Sequence, residues 1–365
     1  MKKFCFYLPQ FHPIEENNQW WGKGFTEWSN VTQCTPRFKG HRQPQLPTDM
    51  GFYDLRLNEV RAAQAELART YGIDGFIYYH YWFHGKRLLE NPVDQLTSSD
   101  EPNFPFALCW ANETWTRAWD GQEKEILIKQ TYSSEDHISH CEHLVNLFKD
   151  KRYIRIDNKP LFMIYRPGKV ENLIEFVTQL KLRAVEEGFV DVYICGVKSS
   201  FGDEFDTHQS NSVFDAVVDF QPNSDDFPRG ETAYTKAAVL SKKILPDTLY
   251  QKLKTSTSGN KVISYKKLVT IKENQKYDYH KRVIPCVFPS WDNSPRRKTA
   301  TIIQNDQPEI FGQWLELAKT VSSRYPEPEQ FVMINAWNEW AEGCHLEPDS
   351  VMGHSFLEAV KKTFS

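Results

Sequence analysis

Short runs of apolar residues recur along the chain, and most of them are followed by a helical pattern. Eight such runs cover residues 4–8, 75–79, 106–110, 161–165, 192–197, 216–220, 283–288 and 331–336. Their length and spacing are typical of strands that alternate with helices. Apolar residues at intervals of three and four predict helices over residues 56–71, 135–150, 172–187, 308–322 and 355–364. The pattern therefore predicts an α/β chain.

The eight predicted strands favour a closed (β/α)8 TIM barrel over an open sheet, because no glycine-rich phosphate loop follows the first strand. We expect residues 1–365 to form a single (β/α)8 domain, with a long loop after strand 1 and an insertion at residues 230–282, between strands 6 and 7. Its lysine-rich segment from Lys242 to Arg282 is longer than an ordinary connection. We expect this segment to form a solvated surface or, alternatively, a contact for an acidic polysaccharide or a partner.

Composition and charge narrow the classes of partner. The formal net charge of -4 provides no basic field, so we expect no nucleic acid partner and no attraction to an anionic membrane. No apolar run approaches the length of a membrane span, and the first residues hold too few apolar side chains for a signal peptide. We therefore expect a cytoplasmic location. The seven cysteines form no Cys-x-x-Cys pair, and four lie in apolar runs, which predicts reduced, buried thiols.

Aromatic and polar residues cluster just after the predicted strands, where chemistry is found in such barrels. Aromatic residues make up 14% of the chain, and their flat faces suit sugar rings as well as protein cores. The predicted substrate-binding residues are Tyr7, Gln10, His12, Trp28, Tyr79, His80, Trp82, Trp110, Asn112, Glu113, Trp119, Asp120, Trp291, Asp292, Arg296, Trp337, Asn338, His345 and Glu347. Singly, each could pack, cap a helix or form an ion pair. Together they indicate a hydroxyl-rich ligand, an oligosaccharide or polysaccharide.

Two glutamates three residues apart, Glu339 and Glu342, follow the last predicted strand. Cleavage of a glycosidic bond needs one carboxyl group to protonate the leaving oxygen and a second to act as base or nucleophile. The neighbouring rings of Trp337 and Trp340 would favour the protonated form of one acid. The alternative is that both glutamates begin a helix and stabilise its dipole. The surrounding polar and aromatic residues favour the catalytic interpretation.

Other signals are weaker, and we predict no metal and no cofactor. His137, His140, Cys141 and His143 share a predicted outer helix; we expect this face to be solvated, with a metal site as the alternative. His80 is expected to lie in a rim loop. Neither an Asp-x-Asp metal pair nor a phosphate-binding loop marks a nucleotide-sugar donor site. Arg296 and Arg297 suit a phosphate or a carboxylate equally.

Five segments carry a family resemblance. They are Tyr7–Pro13, Gly22–Trp28, Gly51–Arg56, Gly72–Trp82 and Trp337–Gly343. These segments resemble the WbsX-type family of bacterial O-antigen (lipopolysaccharide) and polysaccharide biosynthesis gene clusters, which is related to glycoside hydrolase family ninety-nine. The resemblance extends from about residue 7 to about residue 349 and weakens between about 200 and 282.

The resemblance implies a (β/α)8 catalytic domain and metal-independent action on α-linked sugars, of the endo-mannosidase type. The segment Glu339-Trp-Ala-Glu342 is similar to the Glu-Trp-x-Glu motif of the related hydrolases. By that resemblance, Glu339 would remove the proton from the sugar 2-hydroxyl, whose oxygen closes a 1,2-anhydro ring. Glu342 would protonate the leaving oxygen and later activate water, with retention of configuration.

Three functional hypotheses follow. The first is a retaining glycoside hydrolase that cleaves α-linked, mannose-like glycans with Glu339 and Glu342. The second is a glycosyltransferase or transglycosylase of O-antigen or polysaccharide biosynthesis, since the WbsX-type group is often labelled a glycosyltransferase. The third is a barrel that binds carbohydrate without catalysis.

Overall fold

Eight parallel strands form a closed barrel in the computed structural model, which describes residues 1–117, 122–199, 213–228, 259–275 and 282–365. The barrel strands are β1 Lys2–Tyr7, β2 Gly75–Phe83, β3 Phe106–Trp110, β4 Lys159–Ile164, β5 Tyr193–Lys198, β6 Ala216–Asp219, β7 Val283–Val287 and β8 Phe331–Ile334. Each strand pairs with the next along the chain, and β8 pairs with β1. The predicted TIM barrel and its eight strands are confirmed.

Most residues of the strands are apolar because both faces of the barrel wall are covered. All residues of β2, β3 and β8 are buried, as the continuous apolar runs of the sequence indicated. Closure is in register: Cys5 of β1 lies opposite Ile334 of β8 on one side and Phe76 of β2 on the other. The carboxyl ends of all eight strands therefore meet at one mouth of the barrel.

The helices of the described ranges surround this barrel. They are α1 Glu15–Trp21, α2 Glu27–Gln33, α3 Asn58–Thr70, α4 Asn91–Thr97, α5 Ser134–Phe148, α6 Leu173–Glu186, α7 Tyr265–Glu273, α8 Pro308–Ser322 and α9 Ser355–Phe364. The five predicted helices correspond to α3, α5, α6, α8 and α9, with ends within two residues of the structure. The start of α5 shows why such ends can be read from sequence: the Ser133 hydroxyl accepts a hydrogen bond from the Asp136 N–H at 3.1 Å.

The long loop after β1 contains α1 and α2. The start of α2 is fixed by a capping box, in which the side chains of Thr26 and Ser29 each accept from the backbone N–H of the other. The ring of Trp28 then packs 5.6 Å from that of Trp340, which follows β8. The loop thus folds back to the barrel mouth and brings α2 against the turn after the last strand.

Only part of the predicted insertion at 230–282 belongs to the described residues; 230–258 and 276–281 lie outside them. The strand Lys261–Ser264 pairs in parallel with Thr301–Gln304 and leads into α7. On α7, Lys272 is buried and its ammonium lies 2.8 Å from Asp219 and 3.1 Å from Asp226. This lysine therefore does not belong to a solvated surface. The insertion boundaries stay a prediction.

Two expectations about single elements are wrong. Strand β2 extends to Phe83 rather than Tyr79, because it continues as a hairpin with Lys86–Leu88, so His80 lies in a strand and not in a loop. The histidine face of α5 is not solvated either. His137, His140 and Cys141 are buried because this face packs onto the barrel, where the His140 ring stacks 4.6 Å from Trp82.

All seven cysteines are free thiols and six of them are buried, which confirms the prediction made from their spacing. None of the helices in the described ranges is long and apolar enough to cross a lipid bilayer.

Candidate active site

An open cleft of about 650 Å³ lies at the mouth of the barrel. Every barrel strand contributes to its wall through its last residues or the loop that follows, as expected for the carboxyl ends of parallel strands. In strand order, these residues include Leu8, Gln10, Tyr79, Tyr81, Ala111, Glu113, Tyr165, Arg166, Ser199, Phe220, Pro222, Trp291, Arg296, Glu339 and Glu342.

Glu339 and Glu342 lie on one wall because the chain turns tightly after β8. Asn338–Glu339 pairs antiparallel with Cys344–His345, and a 3-10 turn over Trp340–Glu342 joins the two. Gly343 ends the turn with φ 55, where an added Cβ would come within 3.0 Å of Asp292. The turn is thus confined both by its own backbone and by the loop after β7.

The turn is tied to the first strand and to the loop after β7. The side-chain amide of Asn338 accepts from the Leu8 N–H at 2.8 Å and donates to the Leu8 carbonyl at 3.0 Å. The Asp292 N–H donates to the Glu342 carbonyl at 2.7 Å. Asp292 in turn accepts from Gln43 at 2.8 Å and lies 2.6 Å from the His41 ring. These bonds fix the backbone on both sides of the glutamate pair.

The Arg296 guanidinium lies between the two glutamates. Its Nη2 nitrogen is 3.1 Å from Glu339 Oε2, and its Nη1 nitrogen is 3.0 Å from Glu342 Oε1. The same Nη2 nitrogen is 3.0 Å from Glu27 Oε2, contributed by α2. Three carboxylates therefore share one cation; we call Glu27, Arg296, Glu339 and Glu342 the carboxylate centre. The sequence left open whether Arg296 binds a phosphate or a carboxylate, and in the structure it contacts carboxylates.

Burial sets the protonation of this centre. It raises the pKa of Glu339 to about 8, because the opposing effect of Arg296 is not sufficient and the charges of Glu342 and Glu27 add to the shift. Burial also raises the pKa of Glu27 against the effect of Arg296. Although burial disfavours its charge, the three carboxylates hold the pKa of Arg296 well above its usual value. At neutral pH the centre therefore retains a proton on Glu339.

Seven of the residues predicted from sequence meet in this cleft. They are Gln10, Tyr79, Glu113, Trp291, Arg296, Glu339 and Glu342. Across the cleft from the glutamate pair, Glu113 accepts from the Arg166 Nε at 2.9 Å. Trp119 and Asp120, which were also predicted, lie outside the described residues.

The structure places the other twelve predicted residues behind the cleft wall. They are Tyr7, His12, Trp28, His80, Trp82, Trp110, Asn112, Asp292, Trp337, Asn338, His345 and Glu347, and all are buried. None of them lines the cleft. Their arrangement indicates support of the wall rather than direct contact with a ligand.

Side-chain alternation along β2 explains why some of the predicted residues line the cleft and others do not. Successive side chains of a strand point to opposite faces, and Tyr79 and Tyr81 line the cleft. His80 and Trp82 point instead to α5, where the His80 Nε2 lies 3.0 Å from that of His140 and the Trp82 N–H donates to an aspartate. Tyr81 was missed, although counting two residues from Tyr79 would have found it.

Glu347 shows how a predicted ligand-binding residue acts as a support. Its carboxylate accepts from the indole N–H of Trp337 at 3.0 Å and of Trp340 at 2.7 Å, from the Gln64 amide at 2.6 Å and from the Tyr53 hydroxyl at 2.8 Å. Burial raises its pKa to about 7, although these hydrogen bonds oppose the shift. Glu347 thereby fixes both tryptophans that flank the catalytic candidates.

Several residues of the cleft or of the carboxylate centre were not chosen from the sequence, among them Glu27, Tyr165, Arg166 and Trp115. Tyr165 and Arg166 follow β4 directly, so their place at a strand end was a usable signal. Glu27 begins α2 and Trp115 begins a short strand after β3, and the folding of these two segments back to the mouth has no periodic signature. Within the described ranges, no cluster of three or more His, Cys, Asp or Glu side chains is arranged to hold a metal ion.

Solved structures similar to this chain share its fold. A protein described as "Glycoside hydrolase-like protein" aligns over 100% of this chain and 94% of its own, with a TM-score of 0.58 and 13% identity. The GH99 endo-alpha-mannosidase from Bacteroides thetaiotaomicron aligns over 99% of this chain and 96% of its own, with a TM-score of 0.54 and 12% identity. At these identities, the likeness concerns the fold alone.

Curated proteins that match by sequence share a higher identity with this chain than these structures do. Two proteins named "Uncharacterized protein WxcX", from two strains of Xanthomonas campestris pv. campestris, are each 38% identical over 367 residues, which cover 99% of this chain. The match covers 49% of either relative, so the chain spans about half the length of the curated relatives it matches. The model of the family described as Glycosyltransferase WbsX matches residues 3–360. The family predicted from the five segments is thus confirmed, and the chain belongs to the WbsX glycosyltransferase family.

Proposed function

We propose that the chain is a carbohydrate-active enzyme that cleaves an α-linked, mannose-like glycan with Glu339 and Glu342. The observation that carries this proposal is the placement of both carboxylates on the two terminal nitrogens of one guanidinium, at the wall of an open cleft. One acid is more buried than the other: the side chain of Glu339 is 7% exposed, while that of Glu342 is 25% exposed. Two carboxyl groups in unlike environments are what acid and base roles in glycoside cleavage need.

The cleft chemistry supports a sugar as the substrate. The rings of Trp291, Tyr79 and Tyr81 offer flat apolar surface, and the side chains of Gln10 and Glu113 lie beside them. Hydroxyl groups need such donors and acceptors, while the C–H faces of a sugar ring pack on aromatic planes. The cleft is also open rather than enclosed, which suits an internal stretch of a longer glycan.

The proposed steps follow the family resemblance. The ionised Glu339 removes the proton of the sugar 2-hydroxyl, and that oxygen attacks the anomeric carbon to close a 1,2-anhydro ring. As the glycosidic bond breaks, Glu342 gives its proton to the leaving oxygen. Glu342 then removes a proton from water, which opens the ring at the anomeric carbon, and Glu339 returns its proton to the 2-oxygen. Two inversions give net retention.

Separate substitutions of the two glutamates test this proposal. We expect Glu339→Gln and Glu342→Gln each to lower kcat on an α-linked manno-oligosaccharide about 10²- to 10⁴-fold, because each loses a proton-transfer group. Glu66→Gln is the control, since Glu66 is exposed on α3 and pairs only on the surface with Arg69. Full turnover by either cleft variant would refute the assignment.

A second candidate, transfer to a sugar acceptor, is favoured by the description of the matching family as a glycosyltransferase. The same cleft could use a sugar hydroxyl in place of water in the second step, within polysaccharide or O-antigen biosynthesis. Incubation with nucleotide-sugars or donor oligosaccharides should then consume the donor only when an acceptor is present. Binding of an oligosaccharide without turnover in both assays would instead favour a non-catalytic carbohydrate-binding barrel.

A further inference from the structure

Glu27 is a buried carboxylate that no step above uses. It is the first residue of α2, and it is 0% exposed. Its Oε2 lies 3.0 Å from the Nη2 and 3.2 Å from the Nε of Arg296. No donor in the described part of the chain lies within hydrogen-bonding distance of its Oε1. A buried carboxylate with one unsatisfied oxygen costs stability, so its presence calls for a physical explanation.

The charge of the centre supplies that explanation. If Glu27, Glu339 and Glu342 were all ionised, Arg296 would leave two negative charges uncompensated in a largely buried place. The Nη2 nitrogen of Arg296 lies 3.0 Å from Glu27 and 3.1 Å from Glu339, so these two carboxylates compete for the same group. The charge on Glu27 therefore opposes the ionisation of Glu339 both directly and by drawing on Arg296.

We propose that Glu27 is a positioning residue of the carboxylate centre: it fixes Arg296 between Glu339 and Glu342 and makes proton release by Glu339 depend on a charge that the substrate cannot reach. This inference rests on the proposed function for its role in a reaction, but its physical content concerns the free protein. Glu27 comes from the long loop after β1, Arg296 from the loop after β7 and the glutamate pair from the turn after β8. Three distant segments thus set one protonation equilibrium.

The groups that face Glu339 determine the direction of the effect. These are Arg296, Glu342 and Glu27, together with the hydroxyls of Tyr79 and Tyr81 from β2 and the thiol of Cys344 from the paired strand. Glu27→Gln keeps the size of the side chain and an oxygen that can accept from Arg296, but it removes the charge. Arg296 then neutralises the remaining carboxylates more fully, and Glu339 should lose its proton at lower pH. A merely structural Glu27 would alter stability but leave this titration unchanged.

The test is a direct titration of Glu339 in the full chain. Carbon-13 NMR of protein labelled at the glutamate carboxyl carbons follows the Glu339 signal, which is identified by its loss in Glu339→Gln. We expect Glu27→Gln to move the midpoint down by about one pH unit. Glu329→Gln is the matched control, because Glu329 is a buried carboxylate paired with Arg282 at 2.8 Å before β8, away from the cleft. It should leave the midpoint in place.

An unchanged midpoint in a folded Glu27→Gln variant would overturn the proposal. If that variant does not fold, Glu27→Asp replaces it. Its side chain is one methylene shorter, which moves the carboxylate away from Arg296, so we expect a smaller shift of the midpoint in the same direction. The absence of a shift in Glu27→Asp would then overturn the proposal. The readout needs no turnover. A shifted midpoint in a chain that cleaves no glycan would support the role of Glu27 while the proposed function fails, whereas Glu339-dependent cleavage with an unshifted midpoint would refute Glu27 alone.

Discussion

The proton on Glu339 links the geometry of a single residue to a measurable pH dependence. Burial holds the pKa of this carboxyl at about 8, so at pH 7 most molecules carry the neutral form. In the first step the pair needs one proton, which Glu342 gives to the leaving oxygen, while Glu339 is ionised. We therefore expect kcat/KM on a manno-oligosaccharide to fall about tenfold per pH unit above about pH 8, where the pair loses that proton.

A rising limb would contradict these roles. A kcat/KM that increases as the pH passes through 8 would mean that the reaction needs no proton on the pair, so Glu342 would not be the proton donor. Free-enzyme values are the relevant ones, because a bound sugar excludes water and alters the burial of both acids. The same profile measured for Glu66→Gln should coincide with that of the unaltered chain, since this surface carboxylate lies on α3, outside the cleft lining.

At the scale of elements, the packing of α5 on β2 predicts sensitivity to acid. Burial lowers the pKa of His80 and His140 well below 6.5 and that of His143 to about 4. The folded state thus resists protons that the unfolded chain binds below about pH 6.5, so the free energy of unfolding should fall as the pH drops from there towards 4. Each histidine contributes up to about 1.4 kcal/mol per pH unit in this window.

Denaturant unfolding at a series of pH values measures this loss. His143→Leu should reduce the dependence on pH, because it removes one partly buried basic group whose pKa is lowered. An identical slope for His143→Leu and the unaltered chain would show that the acid sensitivity arises elsewhere.

The elements also show what sequence could and could not foresee. Strands buried on both faces are continuously apolar, and helices repeat at three and four, so the barrel followed from local pattern. The cleft depends on which way each side chain points beyond the strand end. His80 was chosen where Tyr81 faces the cleft, because β2 continues past its apolar run. Glu27 was not chosen because its neighbours in the carboxylate centre are more than 250 residues away in the chain. No local sequence pattern indicates a contact between residues that far apart.

At the scale of the whole molecule, the loop after β1 and the loop after β7 act as one unit around the cleft. The Arg37 guanidinium joins them: it donates to Asn260 Oδ1 at 2.7 Å and to the carbonyls of Ser294 at 2.7 Å and Lys298 at 2.8 Å, and it also contacts the Arg297 carbonyl. The three carbonyls flank Arg296 in the chain. The position of the guanidinium in the carboxylate centre therefore depends on an arginine from another part of the chain.

We expect Arg37→Met to lower the free energy of unfolding by about 2–3 kcal/mol, since it removes charged donors from partly buried carbonyls. It should also lower kcat/KM about tenfold, because Arg296 loses the support of its loop and a misplacement of this kind weakens a preorganised site. Arg56→Met is the matched control: Arg56 lies in the same loop but pairs with Asp54 on the surface and should change neither quantity appreciably. A destabilised Arg37→Met chain with unchanged kcat/KM would mean that the turn after β8 alone holds the two acids in place, and that the barrel mouth needs its loops for stability rather than for the geometry of the cleft.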